Sequence, residues 1–245
     1  YLLLPIAQHH FYRARNWNGK ENYPKHLSQL LEPEPKNTRQ NRCNVEEKPV
    51  LYVSTHPMAL ISECHFKVGD IFSMAQFDRS LQTEDLSCLM LGMDPHHRFE
   101  GSPEMENMAQ YKKVFFGDNY QKYEYIEQQL HKQFVRVDDI EGLTYRFTAN
   151  LCEKYFSTCS DLDAIVYPSI ATQGSFTNLA IRSKMYSKAY IGKKVGIFEV
   201  LSDGSYRQLA GAHVQSSGEL DWSTMTSFDL PKAVGIRKID PDDPR

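Results

Sequence analysis

The stretch Pro49-Val50-Leu51-Tyr52-Val53-Ser54-Thr55-His56-Pro57, running on through Ala59-Leu60-Ile61-Ser62-Glu63, decides the reading of this chain. Residues 50–54 are β-branched or aromatic at the positions that favour a strand. Thr55 offers a capping hydroxyl and Pro57 suits a first helical turn, so a helix is expected from Pro57 to Phe66. Such a helix would carry Leu60, Ile61 and Cys64 inward and set Glu63 on its other side or at its edge. Gly69-Asp70 reads as a turn and Ile71 to Phe77 as a second strand.

Downstream, Met105 to Phe116 and Asn119 to Phe134 read as helices; in the second, Tyr123, Ile126, Leu130 and Phe134 recur at helical spacing. Leu143 to Thr158 has the clearest amphipathic pattern, with Tyr145, Thr148, Ala149, Cys152, Tyr155 and Phe156 on one face. Residues 164–167 form a short apolar strand stopped by Pro168. Val195 to Leu201 and Tyr206 to Val214 flank Ser202-Asp203-Gly204-Ser205 as a hairpin. Upstream, Asn16 to Glu47 holds three prolines and few apolar residues and reads as a long surface loop with room for one short helix. Strands fall before, between and after helices without regular alternation. The expected class is therefore α+β, with residues 1–245 forming one domain.

The 28 basic and 31 acidic residues of the 245-residue chain leave a formal charge of -3, which gives no overall attraction to nucleic acid or anionic lipid. The five cysteines are odd in number and lack a CxxC pair, so neither a disulfide framework nor a zinc cluster is expected, and the chain reads as cytoplasmic and reduced. No apolar run approaches the ~20 residues of a membrane span. Neither GxGxxG nor GxxxxGK[ST] occurs. His9-His10 and His96-His97 lack metal-ligand spacing and read as solvated loop residues. Arg182, Lys184, Lys188, Lys193 and Lys194 read as a solvated basic face.

Three segments carry a more specific signal. They are Phe11-Tyr12-Arg13-Ala14-Arg15; Asn41-Arg42-Cys43-Asn44 with the 49–63 stretch; and Asp163-Ala164-Ile165-Val166-Tyr167-Pro168-Ser169 followed by Asn178-Leu179-Ala180. In order and spacing, over about residues 11–200, the chain resembles the RES domain family, named for its Arg, Glu and Ser. It departs from that pattern in three places. Asn41 stands where the family has Gly, the insert before Arg42 is long, and the hairpin and tail of 195–245 match no motif. The resemblance implies an ADP-ribosyltransferase-like core of short mixed and antiparallel sheets flanked by helices. It also implies NAD as a substrate rather than a cofactor, no metal, and action as a cytosolic toxin or delivered effector. A blocking antitoxin or immunity protein is then expected, and a homo-oligomer is compatible. Direct nucleic-acid or membrane partners are not expected. The activity implied is NAD glycohydrolysis or phosphorolysis, with ADP-ribosylation of a protein as the alternative and a catalytically silent binding module as another.

The residue chemistry suits that expectation. The nicotinamide of NAD is already cationic and leaves as a neutral molecule, so no acid is needed. Positive charge developing on the ribose needs a carboxylate, as in glycoside hydrolysis, and Glu63 is the candidate. Arg13 and Arg42 offer planar forks for a pyrophosphate. Tyr52 could stack on the nicotinamide or bond the ribose. Ser169 sits where a strand opens into a loop and could meet the ribose or carboxamide. Asn178 could bond ligand. Competing structural readings stand beside these: an Arg13–Glu63 ion pair, Arg42 as a loop-fixing residue, Tyr52 as an inward strand residue, Ser169 as a turn residue, and Asn178 as a helix N-cap.

Overall fold

The computed structural model describes residues 3–6, 10–20, 22–80, 84–93, 110, 112–136, 143–170, 176–202, 205–223 and 227–228. Their strands are β1 (Leu3–Ile6), β2 (His10–Asn16), β3 (Val50–Ser54), β4 (Ile71–Arg79), β5 (Leu86–Met90), β6 (Ala164–Pro168), β7 (Thr177–Arg182), β8 (Tyr190–Val200), β9 (Tyr206–Val214) and β10 (Leu220–Asp221). The helices are α1 (Pro57–Glu63), α2 (Tyr120–Phe134) and α3 (Leu143–Thr158). The class is α+β, as expected. Of the expected 105–116 helix, residues 110 and 112–116 are helical, while 105–109 and 111, together with His9, His96 and His97, lie outside the described residues.

All ten strands join one sheet, ordered β1-β5-β6-β7-β3-β2-β4-β8-β9-β10. Only β5 and β6 run parallel, and the helical segment between them provides the long connection that a parallel pair needs. The sheet has a weak line. Every residue of β3 pairs with β7, and every residue of β2 pairs with β4. Between β3 and β2 the only registered pair is Tyr12 with Ser54. Two five-stranded halves therefore meet at one residue pair.

Alternation along the strands sorts the core. On one face Phe11, Leu51, Val53, Phe77, Val166 and Leu179 pack with Leu27 and Leu30. On the other, Tyr52, Ile165, Tyr167 and Ala180 pack under Phe134 of α2 and Cys152 of α3. Beyond the seam, the same face carries Tyr12, Phe72, Met74 and Phe198 under Leu60 of α1. All of β6 is buried, which explains its uninterrupted apolar run.

The 16–47 segment is a strap rather than a loose loop. It carries two 3-10 turns, Leu27–Leu30 and Pro35–Asn37. Arg13 Nε donates to Leu30 O at 2.7 Å, and Arg15 Nη2 donates to Leu31 O. The hairpin end secures the other side: Leu27 N donates to Gly218 O, Leu220 N to Lys25 O, and Trp222 Nε1 to Pro24 O. Gly218 has φ +86°, and a Cβ there would lie 2.6 Å from His26 Nε2. The strap and the C-terminal hairpin thus form one unit across the sheet. The expected basic face is also partly committed: Lys188 pairs with Asp163, and Arg182 Nη2 donates to Phe156 O and Cys159 O.

Two helical expectations shift. The α3 face is as expected, with Thr148, Ala149 and Cys152 buried. The α2 stripe is rotated, because Ile126 is 54% exposed while Glu127 is buried. Glu127 takes the inward place to accept a hydrogen bond from Gly92 N at 3.1 Å, and His131 Nδ1 meets Gly92 O at 2.7 Å. Burial pushes the Glu127 carboxyl up to about 7, against partial relief from Lys112 and from bonds with Gly92 and Tyr123. No described helix is long and apolar enough to cross a membrane.

A carboxyl that keeps its proton in the fold lowers stability as the unfolded chain ionises, so the loss accumulates as pH rises from about 4.5 to about 7. Glu127→Gln is expected to unfold at higher urea than wild type at pH 8, by up to roughly 3 kcal/mol, with the gain vanishing below pH ~4.5. Equal midpoints at pH 8 would show that the group ionises normally.

Candidate functional site

The β3–α1 connection builds the site. β3 ends at Ser54, whose Oγ donates to Thr177 O at 3.3 Å and receives His56 N at 3.4 Å. The hydroxyl at the start of α1 is thus Ser54, while Thr55 Oγ1 turns aside to Thr177 O at 3.2 Å. α1 is shorter than expected. It stops at Glu63 because His65 takes a left-handed conformation, φ 51°, which turns Phe66 back to stack on Phe72 at 4.7 Å. Cys64 lies just past the helix as an exposed residue, while burial of its thiol pushes its pKa up to about 11. Glu63 is left as the last residue of the helix, half-buried above the seam.

Two donors, one after β6 and one in β7, converge on it. Ser169 Oγ donates to Glu63 Oε1 at 2.5 Å, and Asn178 Nδ2 donates to the same oxygen at 3.0 Å. Ser169 follows β6, is fully buried, and is held by its own N–H donating to Phe176 O at 2.9 Å. Asn178 lies in β7 opposite Ser54 and Tyr167. It is a strand residue, so the helix N-cap reading fails: residues 178–181 pair on both sides of the strand. Among the described residues no donor reaches Glu63 Oε2. A carboxylate with one oxygen fixed and the other unengaged is oriented and still able to accept a bond or face a cation.

The other expected site residues have different neighbours. Arg13 does not pair with Glu63. Besides Leu30 O, its Nη1 donates to Tyr52 O at 2.7 Å, taking the place of the backbone donor that β2 no longer supplies below the seam. Burial, and then the neighbouring Arg15, push the Arg13 guanidinium down to about 10, so it stays charged at neutral pH. Arg42 is 5% exposed and far from a free phosphate fork. Its Nη1 donates to Phe134 O at 2.5 Å and to Gln133 O at 3.3 Å, and its guanidinium lies 4.7 Å from the Tyr145 ring centroid. It caps the C-terminus of α2, where a cation is favoured by the helix dipole. Tyr52 is an inward strand residue. Its hydroxyl donates to Asn44 Oδ1 at 2.9 Å and accepts from Cys43 N at 2.8 Å. Burial holds the phenol well above its ordinary value, which keeps that donor proton in place. The Asn41–Asn44 turn closes through reciprocal backbone bonds, and Asn41 stays out of the left-handed region, so no glycine is required there.

The structure therefore brings together Glu63, Ser169 and Asn178, and sets Arg13, Arg42 and Tyr52 into supporting roles. Ser54, Thr55 and Thr177 join the site without having been expected. No local signal marked them, because Ser54 enters the site through its pairing with Asn178 on a strand distant in sequence. Two surface cavities lie elsewhere, one between α2 and α3 at Leu130 and Phe147, the other at Cys43, Lys48 and Glu153; neither includes Glu63. No family model matches the chain, and no curated protein matches it in sequence.

If Arg42 is a cap, Arg42→Ala removes charged donors from buried carbonyls and is expected to cost about 2–3 kcal/mol. Urea unfolding measures this. An unchanged midpoint would place Arg42 outside the packing.

Proposed function

We propose that this protein cleaves the bond between nicotinamide and ribose in NAD, transferring the ADP-ribosyl group to water or phosphate. The single observation carrying the proposal is the grip of Ser169 and Asn178 on one oxygen of Glu63 at the seam. These groups are 106 and 115 positions from Glu63 in sequence. They are also the residues that the RES-like motifs single out. In this reading the C1′–N bond breaks, nicotinamide keeps the electron pair and leaves neutral, and the acceptor oxygen bonds C1′ with loss of its proton. Glu63 faces the positive charge that develops on the ribose. Ser169 and Asn178 are positioning residues, because they fix the carboxylate before charge develops.

Arg13 contributes by holding the two half-sheets, its Nε on Leu30 O and its Nη1 on Tyr52 O. An enzyme that depletes NAD needs restraint in its own cell. A blocking antitoxin or immunity protein at the site mouth, and action in the cytosol, belong to the same proposal. The acceptor is chosen by whatever enters the open side of the site, so transfer to a protein side chain is an outcome the test distinguishes.

Purified protein is expected to release nicotinamide from NAD, with ADP-ribose, its 1″-phosphate or a modified protein identified by mass spectrometry with and without phosphate and candidate proteins. Glu63→Gln is expected to lower turnover by about 10²–10³-fold while keeping the fold. Absence of nicotinamide with every acceptor would sink the proposal, and wild-type turnover in Glu63→Gln would remove Glu63 from its role.

A further inference from the structure

Beside Glu63 lies a feature that the mechanism above does not use. His56 and Phe176 stack with ring centroids 4.0 Å apart and planes at 14°. Both are half-buried. Their position follows from the chain just beyond the ladder. The strand pairing ends at Ser54 and Asn178, Thr55 N still donates to Thr177 O at 3.1 Å, and the next residues outward are His56 and Phe176, which meet ring to ring. Two residues of strand span about 7 Å, so the stack adjoins the Asn178 side chain that holds Glu63. The backbone ties it to the site as well, since Phe176 O accepts the Ser169 N–H at 2.9 Å.

We propose that His56 and Phe176 form the aromatic wall that receives the nicotinamide ring, and so determine which base the site accepts. This rests on the NAD-cleaving reading. With the ribose C1′ facing Glu63, the nicotinamide is one bond away, whereas the adenine lies beyond two riboses and a pyrophosphate. A flat pair two residues, about 7 Å of extended chain, from Asn178 is at nicotinamide distance. An aromatic surface also attracts the cationic ring of NAD. Burial lowers the His56 imidazolium below its ordinary value, which favours the neutral ring and avoids like-charge repulsion with the pyridinium. The wall thus discriminates by ring shape and charge, separately from the groups that act on the ribose.

The test separates the two halves of NAD. Nicotinamide and ADP-ribose are titrated separately against wild type, Phe176→Leu and Phe176→Tyr, with KM and kcat for NAD measured alongside. Phe176→Leu keeps apolar bulk and loses the ring. It is expected to weaken nicotinamide about tenfold and raise KM, leaving ADP-ribose affinity within about twofold, while Phe176→Tyr restores nicotinamide binding. His56→Leu gives the same split and serves if Phe176→Leu does not fold. Unchanged nicotinamide affinity in a folded variant, or equal loss of both ligands, overturns the wall and leaves the NAD reading standing. A wild type that neither binds these ligands nor releases nicotinamide overturns both.

Discussion

The fold turns on one backbone pairing, Tyr12 with Ser54. Elsewhere in the sheet, neighbouring strands share two to nine registered pairs, and a slip would flip side chains between faces. At this seam a single pair joins two five-stranded halves, and the strands part on either side of it. Parting strands expose carbonyls that must find donors. Arg13 meets that demand by bonding Tyr52 O and Leu30 O, which also anchors the strap. The divergence leaves a place where a side chain of α1 can meet polar side chains of β6 and β7 without breaking a ladder. Glu63, Ser169 and Asn178 occupy it.

The same logic separates the arginines. Arg13, Arg15, Arg42 and Arg182 all spend donors on backbone carbonyls left over at strand edges, strap turns or helix ends. A guanidinium has five donors in a fixed fork and stays charged when buried, so it can satisfy two carbonyls at once. In a sequence, an arginine that binds phosphate and one that binds carbonyls look alike. Arg42 belongs to the second kind because its turn packs against the end of α2, a contact made across 91 to 94 positions of chain.

Tyr52 and Glu127 show a second way in which polar groups are assigned. Tyr52 falls on the helix-covered face, and its hydroxyl closes the 41–44 turn instead of facing the seam. Glu127 displaces Ile126 from the inward position because Gly92 N lacks a partner in the sheet and a carboxyl on α2 is within reach. An unpaired buried N–H and an isoleucine left in water each cost about 1–3 kcal/mol, and here the Gly92 N–H is the group that is satisfied.

Local pattern alone determined much here. The α+β class, the β3 strand, the Leu143–Thr158 helix, the buried run of β6 and the 195–214 hairpin all follow from periodicity and turn chemistry acting over a few residues. Glu63, Ser169 and Asn178 were legible as a group through their motif spacing, although not as partners. What the tertiary structure decided was every pairing between distant segments: the one-residue seam, the strap tied to the hairpin, the capping role of Arg42, and the side on which Asn178 points. The reason is physical. Strand order and register are set by which faces can be buried together, and donors go to whichever carbonyls that packing leaves unpaired; both are sums over residues far apart in the chain, which no local window contains.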